Sequence, residues 1–112
     1  MYEYNFETRR GATFKREIYF ENGTGVAIPL IGKTAQGEIR PKAGSDELTA
    51  SFACSVDAVN GILTISLTST QTAAMSPGTY AYDVALIDGE NVDYWLGGSF
   101  TVKERVTEVT NA

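Results

Sequence analysis

Apolar and polar residues alternate through most of the chain, and the alternation comes in runs of strand length. Tyr2 to Glu7 sets Tyr2, Tyr4 and Phe6 on one face and reads as a first, edge strand. Thr13 to Glu21 does the same with Phe14, Ile18 and Phe20, while Arg16 interrupts that face and leaves one end of the strand open to water. Ile31 to Arg40 turns Ala35, Gly37 and Ile39 inward, with Gly37 weakening the strand or marking a bulge. Leu48 to Val56 carries Leu48, Ala50, Phe52, Cys54 and Val56 on one face. Asn60-Gly61 predicts a short type I′ hairpin turn, since both central residues of that turn need positive φ. Ile62 to Thr68 follows, with Leu63, Ile65 and Leu67 inward and antiparallel to the strand before it.

The alternation stops at Ser69 to Met75. Thr68, Ser69 or Thr70 can cap one helical turn there, with Met75 packing down, and Pro77-Gly78 ends it. The next strand places Tyr80, Tyr82, Val84 and Leu86 on one face. Asp88-Gly89-Glu90-Asn91 reverses the chain into a last strand from Val92 to Val102, whose inward row is Val92, Tyr94, Leu96, Gly98, Phe100 and Val102. Gly97-Gly98 predicts a bulge or a close backbone approach.

Seven short antiparallel strands need two packed layers, because one open sheet would leave an apolar face wet. The expected fold is therefore all-β: a seven-stranded antiparallel immunoglobulin-like sandwich with one helical turn between strands five and six. Tyr80 or Tyr82 is placed to act as a tyrosine corner, its hydroxyl bonding nearby backbone. The antibody-type disulfide is absent, and the tryptophan, Trp95, falls in the last strand. Residues 1–105 form one domain in this reading, and residues 106–112 a frayed tail.

Composition narrows the chemistry. No run approaches the roughly 20 apolar residues of a membrane span. The start, Met1-Tyr2-Glu3-Tyr4-Asn5, lacks the basic and apolar regions of a secretory signal, which points to a chain made and folded in the cytoplasm. The chain has no histidine and one cysteine, so Ser-His-Asp and Cys-His catalysis, zinc and iron–sulfur sites drop out, and no cofactor is expected. Cys54 reads as a buried thiol acting as a small hydrophobe.

Net charge is −5, unevenly spread: residues 1–42 hold seven basic and five acidic groups, residues 43–112 two and nine. That polarity favours head-to-tail contacts between copies, and the acidic balance argues against nucleic acid. Carboxylates at Asp46-Glu47, Asp83, Asp88, Glu90 and Asp93 fall in turns or on outward strand positions, where glycosidase chemistry or a calcium site is outweighed by simple solvation.

Tyr19, Tyr94 and Trp95 are the aromatics with binding potential. Tyr94 shares the core row, so Trp95 should point the other way. It then stacks on a sugar, buries against another subunit, or covers its own sheet or packs under the N-terminal strand.

A spaced series of motifs carries a resemblance. It runs from Arg10-Gly11-Ala12-Thr13-Phe14 through Pro29-Leu30-Ile31-Gly32 and Ala35-Gln36-Gly37-Glu38-Ile39-Arg40 to Pro77-Gly78-Thr79-Tyr80-Ala81-Tyr82-Asp83-Val84. Gly98-Ser99-Phe100-Thr101-Val102 and Val106-Thr107 close it. The series resembles the immunoglobulin-like or baseplate-type β-sandwich modules of tailed bacteriophages and prophages. It is similar in particular to the N-terminal domain of upper baseplate proteins of lactococcal phages. The resemblance implies a non-enzymatic structural or assembly module of a phage tail, located in the virion and, during assembly, in the host cytoplasm. Its partners would be other tail proteins or copies of itself, with no nucleic acid, membrane or small-molecule ligand. Tyr82-Asp83 is expected near the Arg10-Gly11 turn, with Arg10 and Asp83 paired in the folded core or at a contact. The other reading is a carbohydrate-binding or adhesion module using Trp95 as its platform.

Overall fold

Eight strands and one short helix follow in the order β1 (Tyr2–Glu3), β2 (Phe6–Arg9), β3 (Phe14–Tyr19), β4 (Thr34–Arg40), β5 (Ala50–Asp57), β6 (Ile62–Leu67), α1 (Ser69–Ala73), β7 (Gly78–Asp88) and β8 (Asn91–Lys103). They come from a computed structural model that describes residues 2–107. The all-β expectation holds. The hydrogen-bonded path runs β1-β8-β7-β4-β5-β6-β3, with β2 also on β8. Two features depart from seven antiparallel strands. The N-terminal strand is split in two, and both pieces lie parallel to β8.

Side chains explain the split. Asn5 Oδ1 accepts the Ser99 N–H at 3.0 Å, so a side chain replaces one rung of the ladder. Gly98 sits opposite that break, where an added Cβ would stand 2.6 Å from the Tyr4 carbonyl oxygen. The close approach expected at Gly97-Gly98 is therefore real, and its partner is the N-terminal strand.

One strand joins the two parts of the sheet. β5 pairs with β4 through Ala50–Phe52 and with β6 through Ala53–Asp57. The sheet curls so that its two ends face each other across the core: Phe6 of β2 meets Phe14 of β3 edge-on, with ring centroids 5.3 Å apart. The Arg16 guanidinium lies 4.6 Å from the Phe14 ring centroid and covers this seam, a cation–π contact where an open end was expected. Gly37 marks no bulge. It makes room, because a Cβ there would stand 2.9 Å from Phe52 and 3.1 Å from Val84.

The helix forms as its sequence dictates. Thr68 accepts the Gln71 N–H, and the Gln71 side chain accepts the Thr68 N–H, a reciprocal capping box. Met75 is buried below it. The Asn60-Gly61 turn differs from its expectation. Asp57 pairs with Ile62 across a four-residue turn, and only Gly61 has positive φ, so the turn is not type I′. Asp57 holds it by accepting from the Asn60 backbone and side chain, which lowers the Asp57 pKa. Leu48 lies outside β5 and is exposed. The tail expected at 106–112 lies mostly outside the described residues; Val106 and Thr107 follow β8 in no regular element.

Candidate functional site

The inward row of β8 does not run as the alternation predicts. Val84 pairs with Leu96, but the next residue, Ala85, pairs with Tyr94. Trp95 is thus the extra residue of a β-bulge, and a bulge turns consecutive side chains toward one side. Leu96 is buried and Trp95 half-buried, while Tyr94 and Val92 are exposed. The expected outward Trp95 and inward Tyr94 are therefore exchanged. Trp95 packs on Phe20 at 4.1 Å and on Tyr2 of the N-terminal strand at 4.6 Å. Of the three roles open to it, packing under that strand is the one its contacts match.

These rings form one wall of a cleft of about 660 Å³ at the end of the sheet where β3 ends and β7 turns into β8. Tyr19, Glu21, Ile28 and Lys33 line its other side, Leu30 and Leu86 its floor, and Asp88, Asn91 and Asp93 its rim. The long connection from β3 to β4 is held by few groups. Asn22 Oδ1 accepts the backbone N–H groups of Thr24 and Val26 and the Thr24 hydroxyl. Ile28 donates to the Phe20 carbonyl at 2.7 Å, and Leu30 to that of Ala58 at 2.7 Å. Gly61 lets this connection approach: a Cβ there would stand 2.3 Å from the Ile28 carbonyl oxygen, and its φ is +64°.

The four residues singled out in the sequence separate into three places. Tyr19 and Trp95 share the cleft. The Tyr19 hydroxyl donates to Glu17 at 3.1 Å, and that bond with the Glu17 charge raises its pKa. Arg10 is at the opposite end, donating to the Ala73 carbonyl at 2.9 Å and facing Glu104 at 3.5 Å. Asp83 sits on the outer face of the sheet, paired across strands with Glu38 and near Arg40. Burial, then the Glu38 charge, raise its pKa, with Arg40 opposing. Within one chain Arg10 and Asp83 thus have separate partners and do not pair in the folded core. Tyr94 faces outward too and lines a shallow hollow with Asp83 and Arg40.

Both tyrosines proposed for a corner bond to backbone. Tyr80 donates to the Ser76 carbonyl, four residues upstream, and Tyr82 to the Tyr4 carbonyl. Burial pushes the Tyr82 phenol well above its ordinary pKa. Cys54 is half-buried, and burial raises its thiol.

Chemically, the cleft offers aromatic and aliphatic contact area edged by carboxylates and an amide. Among the described residues no three His, Cys, Asp or Glu side chains converge as a metal site. Ile28, Leu30 and Lys33 were not singled out in the sequence. The signal for Ile28 and Leu30 is the apolar run Val26-Ala27-Ile28-Pro29-Leu30-Ile31, which lies in a connection, buries Leu30 and leaves Val26, Ile28 and Ile31 exposed.

No protein-family model matches the chain, and no curated protein sequence does. Among solved structures, similarity is found to InlP of Listeria monocytogenes, at 17% identity and a TM-score of 0.44, covering 92% of this chain and 26% of that one. A family 123 glycoside hydrolase from Clostridium perfringens is similar at 14% identity and a TM-score of 0.42, covering 93% and 23%. The chain spans about a quarter of the length of each, and at these values the likeness carries no weight for function.

Proposed function

We propose that this chain is a non-enzymatic, immunoglobulin-like module that acts through protein–protein contacts, and that its setting is the tail or baseplate of a phage or prophage. The observation that carries the contact reading is the apolar surface around the cleft. Tyr2 (65%), Tyr19 (57%), Ile28 (44%) and Ile31 (71%) are exposed on adjoining segments at one end of the fold. Clustered exposure of large apolar side chains marks interaction surfaces, whereas single ones are ordinary. The tail setting rests on the motif series from Arg10-Gly11 to Val106-Thr107 alone. The immunoglobulin-like reading is supported by the strand order, by β5 dividing its pairing between β4 and β6, and by the Tyr80 hydroxyl bonding back to Ser76.

The test is site-specific photo-cross-linking from Ile31, with the protein co-expressed with the products of its neighbouring genes. Adducts with one of those products or with a second copy from Ile31, and none from Ser51 on the outer sheet face, are expected. Equal yields from both positions would remove the reading.

A second reading is favoured by one feature: the cleft puts Tyr19 and Trp95 beside Asp88, Asn91 and Asp93, a combination of ring faces and hydrogen-bonding groups that suits a sugar. Saturable glycan binding that Trp95→Ala abolishes, in a variant that still folds, would replace the contact reading with this one.

A further inference from the structure

The fold sorts charge more sharply than the sequence does. Strand direction places eight of the nine Lys and Arg residues, all but Lys33, in the half of the molecule that holds α1 and the end of β8. Arg9 pairs with Lys103, Arg10 reaches Ala73 of α1, and Arg9, Arg10 and Arg105 line one cleft of about 790 Å³. The carboxylates there include Glu7, paired with Lys103 at 2.6 Å, Glu104, paired with Arg10, and Glu38, paired with Arg40 at 3.0 Å, with Asp83 across from Glu38 on the next strand. Asp46 and Glu47 occupy the connection between β4 and β5. Cations therefore dominate this end.

The opposite end is the aromatic cleft. Glu17, Glu21, Asp57, Asp88, Glu90 and Asp93 gather there against the single cation Lys33. The molecule is 42 Å long, several times the Debye length of about 8 Å at physiological salt, so each end presents its own field to a partner. The two ends are opposite in sign, and each carries a cleft of similar volume.

We infer that the partner of the acidic, aromatic end is the basic end of a second copy of this chain. This rests on the reading of the chain as a protein-contact module and names its partner. Charge complementarity carries the choice: the surface opposite in sign to the acidic cleft is on the same molecule. The contact joins two different patches, so it repeats head to tail and builds a ring or a filament rather than a closed two-fold dimer. Opposite-charge surfaces of this kind set register and association rate, and salt weakens them.

The experiment is sedimentation velocity on the whole chain over a concentration series, at about 20 mM and about 500 mM salt, where the Debye length falls from about 20 Å to about 4 Å. Wild type is expected to gain mass with concentration at low salt and to lose that gain at high salt. Asp88→Lys/Asp93→Lys removes most of the net negative charge of the acidic end, and Arg9→Glu/Lys15→Glu weakens or reverses the basic end. All four are exposed positions, and circular dichroism checks that each variant folds. Each variant alone should stay monomeric, and an equimolar mixture of the two should associate again at low salt. A wild type monomeric in both salts overturns the inference, as does a mixture that fails to associate. Cross-linking from Ile31 to a neighbouring gene product would then still uphold the protein-contact reading, so the two failures are distinguishable.

Discussion

At the basic end of the seam, Phe6, Phe14 and Phe100 meet edge to face with centroids 5.0 to 5.3 Å apart, and all three are buried. At the acidic end, Tyr2, Trp95 and Phe20 meet at 4.1 to 4.6 Å, yet Tyr2 remains 65% exposed. Both clusters join the N-terminal edge of the sheet to the β3 side. The first is closed over by Arg16; the second is open to a cleft. The contrast teaches that similar ring-to-ring distances do not mean similar roles. A closed cluster holds the fold, and an open one leaves contact area for something else.

The sharpest test removes one ring from each cluster. Phe100→Ala, at a fully buried position, should cost about 3–5 kcal/mol in denaturant unfolding. Trp95→Ala should cost clearly less, because solvent already reaches its cleft, and equal losses would erase the distinction between the two ends. Next comes the close approach of Gly98 to Tyr4. Gly98→Ala drives a Cβ toward the Tyr4 carbonyl and should cost about 1–3 kcal/mol. The same substitution at Gly32, where a Cβ meets nothing within 4 Å, is controlled by its φ of +79° alone.

A smaller effect is expected from Tyr82→Phe, which deletes the bond to Tyr4 and should cost about 1 kcal/mol at neutral pH. Its pH dependence has a definite sign. The folded-state phenol titrates above the unfolded one, so its contribution is intact below pH 10 and lost as pH rises from there through the folded pKa. The variant should lack that alkaline loss in a pH series of melting curves. The smallest effect lies outside the seam. Asp83 has a raised pKa beside Glu38, so ionising it disfavours the fold. Asp83→Asn should raise stability slightly at pH 7, with the gain vanishing as pH falls below its ordinary value of 3.8.

The β7–β8 hairpin was the most legible element, since Asp88 pairs with Asn91 around Gly89 at φ +61°, and that geometry is local. The Thr68 cap was legible for the same reason. The bulge at Trp95 left no trace in its own strand, because an extra residue exists only relative to a partner, here the step from Val84 to Ala85. Nor does alternation carry direction, so the parallel setting of β1 and β2 was hidden. Of the candidate site, Tyr19 and Trp95 were readable as unplaced aromatics. Their neighbours Ile28 and Lys33 were not, because Gly61 and the Ala58 carbonyl bring that connection over the cleft through contacts far apart in the chain.

The parallel setting of the N-terminal edge has a mechanical consequence. Residue 2 and residue 107 leave the sheet at opposite ends, so tension applied between them pulls β2 and β8 past each other lengthwise. Every hydrogen bond from Phe6–Phe100 to Arg9–Lys103 is then loaded in shear at the same moment, rather than peeled one after another. A subunit wired in this way resists stretching along its long axis, which is the direction in which a string of such subunits would carry force.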